Sequence, residues 1–405
     1  MKTTIGILLI SLGLINLSCK HGPVNTQSFT LQGKINGVKT GRIILSYESS
    51  KKYKWINDTA DIKDGKFVFK GKIIEPTSAD LIAASEPNLG RTGKELNIAS
   101  IYIEPGDMKV ILTKDKFKEL KMTGSKSQND LNALNLFNKS VTSRIDSVST
   151  IIISLRDSLT KYPEEKNLSE KLKNEYTKRG ILNNEKYAQY IEFIKSHPKS
   201  FLSADLLLRI NDIIPLDSLK LIHNNLAVPI QNSRDGIVIK KIIAKKDNNR
   251  IGAIAPDFKA IDLNKQTVTL SEFRGKNVVL MDFWASWCGP CRASFPHLKE
   301  VYKKYHPKGF EIISISVDFN RDAWMAAVKQ ENIETWHPVP VAEKYALGPD
   351  SIKKDDIYEN YFVQGVPRQI LIDKSGKIVG QWLGFSKENE NELDKKLAEL
   401  FSGVQ

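Results

Sequence analysis

A chain of 405 residues is too long for one ordinary domain and has room for two or three. With 41% apolar and 26% charged residues it has the make-up of a folded globular protein, which excludes a disordered chain. The net charge of +13 is uneven: residues 251–405 hold 20 Lys/Arg against 21 Asp/Glu, leaving 40 against 26 for residues 1–250. Those lysines are scattered among Glu, Asp and Asn without interleaved aromatics, which argues for a solvated surface, helped by an anionic membrane nearby, and against nucleic-acid binding.

The chain opens with Lys2 and a single apolar run from Ile5 to Leu17. That run is shorter than the ~20 residues a bilayer span needs, so it reads as an export signal over residues 1–18. It ends in Leu17-Ser18-Cys19, which resembles a lipoprotein cleavage box, although Asn16 stands where that motif prefers Leu. The resemblance implies lipid on Cys19 and a membrane anchor; the competing reading is a plain signal with Cys19 incidental. Cysteine arithmetic favours the anchor. Of three cysteines, Cys288 and Cys291 form a C-x-x-C pair, and an exported chain would otherwise keep a free thiol.

Residues 19–28 form a polar tether. From residue 29 to 125 the pattern is short β-rich runs divided by turn signals, as in Arg42-Ile43-Ile44-Leu45 and Lys66-Phe67-Val68-Phe69. Asp64-Gly65 predicts a hairpin, and Glu104-Pro105-Gly106-Asp107, between Ile101-Tyr102-Ile103 and Met108 to Leu112, predicts a second. A β-rich sandwich or barrel follows. On Asp64 to Gly71, Ile103-Glu104-Pro105-Gly106 and Thr123-Gly124-Ser125 this segment resembles the domain of unknown function that precedes thioredoxin-like domains in many bacterial lipoproteins. Glu104 is expected to be a solvated turn carboxylate.

Residues 126–249 repeat their apolar positions every three to four residues and predict helices, with a charged helical hairpin in the 140s to 170s. Ser203-Ala204-Asp205 offers a helix cap after the break at Ser196-His197-Pro198, and Lys245 to Asn249 reads as a polar linker.

The last segment, residues 250–405, begins Ala255-Pro256-Asp257-Phe258 and predicts a hairpin reaching Val268-Thr269-Leu270, a turn capped by Ser271, and a buried strand over Asn277 to Trp284. That strand runs into Ala285-Ser286-Trp287-Cys288-Gly289-Pro290-Cys291, and a helical pattern follows. A C-x-x-C between a strand and a helix is the setting of a redox pair. Unpaired N–H groups and the dipole at a helix N-terminus favour a thiolate, so Cys288 is the expected exposed nucleophile and Cys291 the inner resolving thiol. Pro290 suits a first turn, where its missing N–H has no helical partner. A zinc half-site is the rival. It needs two further ligands, and this segment offers only His297, His306 and His337.

These residues resemble the thioredoxin superfamily, and within it the membrane-tethered extracytoplasmic class of TlpA, ResA and the cytochrome c maturation thioredoxins. The matching residues are Ala255 to Phe258, Phe283 to Cys291, Pro296, and Gly365-Val366-Pro367. The resemblance implies a C-terminal α/β thioredoxin fold, its mixed sheet carrying helices on both faces, and a cis-proline loop at Val366-Pro367 facing the disulfide. With Trp287, Gly289 and Pro290 that loop forms the surface that meets substrate. It also implies that Asp282 is a buried carboxylate behind Cys291, serving as its proton acceptor. The implied activity is thiol–disulfide exchange with disulfide-containing extracytoplasmic proteins, as a reductant, supplied by a membrane thiol electron donor, with no cofactor and no metal. Two alternatives remain open. A thiol peroxidase shares the Ala-Pro-Asp-Phe opening but needs a hydroxyl residue where Ala285 stands. A surface binding lipoprotein would use the basic first 250 residues.

Overall fold

A computed structural model describes residues 27–49, 54–83, 97–341 and 357–402. The signal, the tether before residue 27 and Cys19 lie outside the described residues. The chain divides into two compact units: residues up to Leu206 with Leu226–Arg234, and Leu207–Asn225 with Asp235 onward. The helical middle segment is therefore shared between the units.

In the first unit the strands are β1 (Gln27–Asn36), β2 (Thr40–Ser49), β3 (Lys54–Lys63), β4 (Lys66–Ile73), β5 (Thr77–Ala83), β6 (Ile98–Ile103), β7 (Gly106–Thr113) and β8 (Lys121–Thr123). They form one sheet in the order β6-β5-β2-β3-β4-β1-β7-β8. Period-two alternation turns Phe29, Leu31, Phe67, Phe69, Met108 and Val110 to one side, where they build a core. Gly33 in β1 is dictated by that packing, because a Cβ there would lie 1.9 Å from the Phe67 ring. Asp64 and Gly65 both adopt positive φ, 50° and 73°, and join β3 to β4 in a tight hairpin.

The second expected hairpin is absent. β6 pairs only with β5, whereas β7 runs parallel to β1 and antiparallel to β8. Glu104 and Pro105 are the only residues between β6 and β7, so the sheet must be rolled until strands far apart in its order nearly meet. Side chains bridge the gap: Asn97 Nδ2 donates to Asp115 Oδ1 at 3.0 Å and the Asp115 N–H to Asn97 Oδ1 at 2.7 Å. A Pro-Gly turn signal marks a reversal without naming the partner strand. Glu104 also does more than face water, since its Oε1 accepts the Ser127 N–H at 2.6 Å.

Four helices follow: α1 (Lys126–Phe137), α2 (Lys139–Lys161), α3 (Lys166–Ser196) and α4 (Phe201–Arg209). Ser125 caps α1 by accepting the Gln128 N–H at 3.0 Å. In α2, Val141, Ile145, Val148, Ile152, Leu155 and Leu159 follow a four-three spacing, the seam by which a helix pairs with a partner. That partner is α3. Ser203 caps nothing. It lies inside α4 and donates to the His197 carbonyl at 2.7 Å. A short α5 (Leu216–Asn225), α6 (Val228–Gln231) and α7 (Arg234–Asn248) complete the segment. The expected linker at Lys245 to Asn249 is mostly the last turn of α7, and its polar groups are engaged. Lys246 donates to the Asn211 carbonyl at 2.6 Å and Asp247 pairs with Lys220 at 2.7 Å.

The second unit holds the hairpin β9 (Lys259–Ile261) and β10 (Thr267–Thr269), then β11 (Val278–Trp284), α8 (Gly289–Tyr305), β12 (Phe310–Ser316), α9 (Arg321–Glu331), β13 (Val339–Pro340), α10 (Ile357–Asn360), β14 (Arg368–Ile372), β15 (Ile378–Leu383) and α11 (Lys387–Phe401). The turn after β10 is capped by Thr269, with Glu272 reaching back to the Thr269 N–H, and not by Ser271. The main sheet is mixed, ordered β13-β12-β11-β14-β15, with β11 parallel to β12 and antiparallel to β14.

Helices on both faces were expected. They are found there: the three long helices α8, α9 and α11 share one core with Leu280 and Trp284, and α10 packs on the opposite face. The β9–β10 hairpin, its following turn and the single-turn α10 cover the core of Met281 and Phe283. The steps β11-α8-β12 and β12-α9-β13 run the same way across the sheet. Right-handed crossovers then place both helices on one face.

Candidate active site

β11 is buried along its whole length and delivers the chain to the C-terminal edge of the sheet. Cys288 is the N-cap of α8: its N–H donates to the Ala285 carbonyl at 3.0 Å, and its Sγ accepts the Cys291 N–H at 3.3 Å. Cys288 and Cys291 are joined in a disulfide with sulfurs 1.98 Å apart. In this oxidised state Cys288 is 5% exposed and Cys291 1%. The expected prominent nucleophile is therefore nearly covered while its sulfur is bonded and turned to the helix end, yet it remains the more accessible of the two. Trp287 beside it is 66% exposed. Pro290 occupies the first turn, and a Cβ at Gly289 would meet nothing within 4 Å.

The loop before Cys288 is held by a residue that sequence reasoning missed. Buried Asp318, two residues beyond β12, accepts from the Ser286 N–H at 2.8 Å and from the Ser286 hydroxyl at 2.6 Å. It accepts from the Ser316 hydroxyl at 2.7 Å as well. Its one sequence signal is position, at the end of a strand parallel to β11. Arg292, just past Cys291, pairs with Glu331 at the end of α9 at 2.6 Å.

Val366–Pro367 is a cis peptide. Register places it: Phe283 pairs with Arg368, so Pro367 enters β14 beside the end of β11. Val366 packs on the core that contains Cys288 and Cys291, and the Pro367 carbonyl accepts the Gly384 N–H at 2.8 Å.

Asp282 pairs with Gln369 across β11 and β14, and Gln369 Nε2 donates to its Oδ1 at 3.2 Å. Its Oδ2 is buried without a partner. Alternation puts it on the same face as Leu280 and Trp284, whose core includes Cys291. Burial pushes its carboxyl up to about 7, against the lowering effect of the Gln369 hydrogen bond. Arg368, next to Gln369 but turned to the opposite face, donates to Gln381 at 2.9 Å, and burial lowers its guanidinium.

Among the described residues no group of three or more His, Cys, Asp or Glu could hold a metal. The three histidines weighed as zinc ligands pair with carboxylates instead: His297 with Asp394 at 3.0 Å, His306 and His337 with Glu311, each at 3.3 Å.

With a cystine at a helix N-terminus, a cis-proline loop beside it and a buried carboxyl behind it, the C-terminal region is 35% identical over 155 residues to the thiol-disulfide oxidoreductase ResA of Bacillus cereus. The match covers 38% of this chain and 82% of that protein. The chain belongs to the ResA-like thioredoxin superfamily. It is a thiol-disulfide oxidoreductase. ResA of Oceanobacillus iheyensis is 39% identical over 128 residues, 28% of this chain and 64% of its own length. A redoxin family model matches residues 250–397, and a model for a domain of unknown function (DUF4369) matches residues 29–131. Among solved structures, a putative thiol:disulfide interchange protein DsbE from Chlorobium tepidum is 30% identical, covering 38% of this chain and 98% of its own, with a TM-score of 0.33. The thioredoxin domain of a Bacteroides vulgatus thiol-disulfide oxidoreductase is 33% identical, covering 36% and 98%, with a TM-score of 0.31. In this ResA-like chain the first unit is additional to the region shared with the two ResA proteins.

Proposed function

We infer that the chain acts outside the cytoplasm as a reductant of cystines in exported partner proteins, held to a membrane by lipid on Cys19. The observation that carries the reading is the cystine at the N-terminus of α8, set in an edge built for a polypeptide. That edge collects Trp287 after β11, Phe319 after β12 (73% exposed), Pro367 before β14, and Leu383 and Phe385 at the end of β15. Broad apolar side chains around a cystine suit an extended peptide better than a small polar oxidant.

In the cycle, reduced Cys288 attacks one sulfur of a partner cystine as the thiolate, and the other partner sulfur leaves as a thiolate that takes a proton. Cys291 then gives its proton to Asp282 and attacks Cys288 Sγ. The second partner sulfur leaves as a thiolate and takes up the proton that Asp282 releases, so Cys288–Cys291 is oxidised while the partner has gained two electrons and two protons. A dithiol donor on the membrane side restores the pair. Equilibrating the pair in glutathione buffers tests the direction. A potential near that of thioredoxin, about −270 mV, is expected. A value above about −180 mV, in the range of disulfide isomerases and oxidants, refutes the reductant reading.

A further inference from the structure

We propose that the outer face of the first unit's sheet, across β4, β1, β7 and β8, docks on an anionic phospholipid bilayer. Alternation that buries Phe67, Leu31 and Met108 turns Lys66, Lys70 and Lys72 of β4 outward, with Lys34 of β1, Lys109 of β7 and Lys121 of β8. The registers set Lys34 and Lys66 directly across from each other and the other four lysines opposite uncharged residues of the same face. Lys34 lies opposite Lys66, Thr30 opposite Lys70, Gln32 beside Lys109, and Ile111 opposite Lys121. Strands ~4.8 Å apart and same-face residues ~6.8 Å apart put these ammonium stems within an area of ~15 by 20 Å. Asp107 is the sole carboxylate among the outward positions of these four strands. Among the described residues none of the six lysines pairs with a carboxylate.

Like charges directly across strands destabilise a sheet, and at these spacings, inside a Debye length of ~8 Å, salt does not remove the repulsion. The fold accepts that cost on one face while Glu48 and Arg234 elsewhere in the same unit are paired at 2.9 Å. A dense group of cations on the outer face of the rolled sheet complements the dense negative charge of lipid phosphates. Val68 and Ile111, both exposed within it, suit the boundary between headgroup and acyl chain. Nucleic acid fits less well, because the face offers no aromatic ring on which a base could stack. The inference stands apart from acylation at Cys19, since charge alone carries it, and it does not involve the cystine.

The test uses the full chain carrying Cys19→Ala, so that no acyl group contributes. Binding is measured to phosphatidylcholine vesicles with and without a roughly one-third share of phosphatidylglycerol, in about 0.1 M salt. Binding should require phosphatidylglycerol and be released by about 0.5 M salt. At about fivefold per lysine, Lys34→Gln, Lys66→Gln, Lys70→Gln and Lys109→Gln together should weaken it about 100-fold or more. Lys161→Gln, Lys166→Gln, Lys171→Gln and Lys173→Gln on α2 and α3 remove the same charge and should leave it nearly unchanged. The sheet variant should melt no lower than the parent, because it relieves repulsion. Equal binding to both vesicles, or equal loss in both variants, overturns the proposal. Tighter binding of single-stranded DNA than of vesicles, weakened by the same sheet variant, also overturns it and assigns the face to nucleic acid.

Discussion

Asp282 has one amide donor on Oδ1 and none on Oδ2, and burial holds its pKa at about 7 against an unfolded value of 3.8. A carboxyl raised in this way favours the folded state most below the unfolded pKa. That advantage is lost as pH rises from about 4 through 7. Asp282→Asn keeps the shape and stays neutral. It should stabilise the protein by about 1–3 kcal/mol at pH 8 and hardly at all at pH 4, in paired thermal melts. The same variant should slow resolution of a mixed disulfide at pH 8, since Cys291 loses its proton acceptor; lower stability at pH 8 with unchanged kinetics would mark Asp282 as a structural partner only. Cys291→Ser removes the resolving thiol, so partner proteins should accumulate as mixed disulfides on Cys288, visible as reductant-sensitive adducts on gels. Adducts forming on Cys291 in Cys288→Ser at a comparable rate would reverse the assignment. The burial of Asp282 was legible because a carboxylate interrupts an unbroken apolar strand. Gln369 and Asp318 were not, since each meets the site only through strand pairing that sequence separation hides.

At the scale of elements, the end of β12 is fastened to the loop before α8 by Asp318, and the end of α9 to the first turn of α8 by the Arg292–Glu331 pair. Asp318→Ala leaves the half-buried Ser286 N–H and hydroxyl and the buried Ser316 hydroxyl without their acceptor. A loss of about 2–4 kcal/mol is expected in denaturant unfolding, at about 1–3 kcal/mol for each buried group left unsatisfied. A loss below about 0.5 kcal/mol would mean that water replaces the carboxylate. Helices, strands and the Asp64-Gly65 hairpin could be read from the sequence because periodicity and turn chemistry are local. The partner of β7 could not, because a parallel pairing with β1 is set by the rolling of the whole sheet. The last turn of α7 resembles a linker in sequence for a related reason. Its run of charges looks solvated until Asn211 and Lys220 arrive from other elements.

For the whole molecule, the basic excess belongs to residues 1–250 while the catalytic segment is nearly neutral, 20 basic against 21 acidic. Under the proposed membrane docking, this division turns the basic first part toward the anionic surface and leaves the catalytic segment free of strong attraction to it. No helix among the described residues is long and apolar enough to cross a membrane. Under the proposed lipidation, wild-type protein should partition into detergent and sediment with membranes, and Cys19→Ala should lose the detergent partitioning. Soluble behaviour of the wild type would show that Asn16 spoils the cleavage box.

The empty space beside Gly289 has a wider meaning. A Cβ there would meet nothing within 4 Å beyond its chain neighbours and its own helix, and its backbone lies outside the left-handed region that favours glycine. The folded state therefore sets no steric price on the identity of this spacer residue, although it sits between the two sulfurs. Position 289 can then accept a small side chain next to the two cysteines while the scaffold around it stays unchanged. Evolution is thereby left one position beside the couple that can change without unsettling the architecture around it.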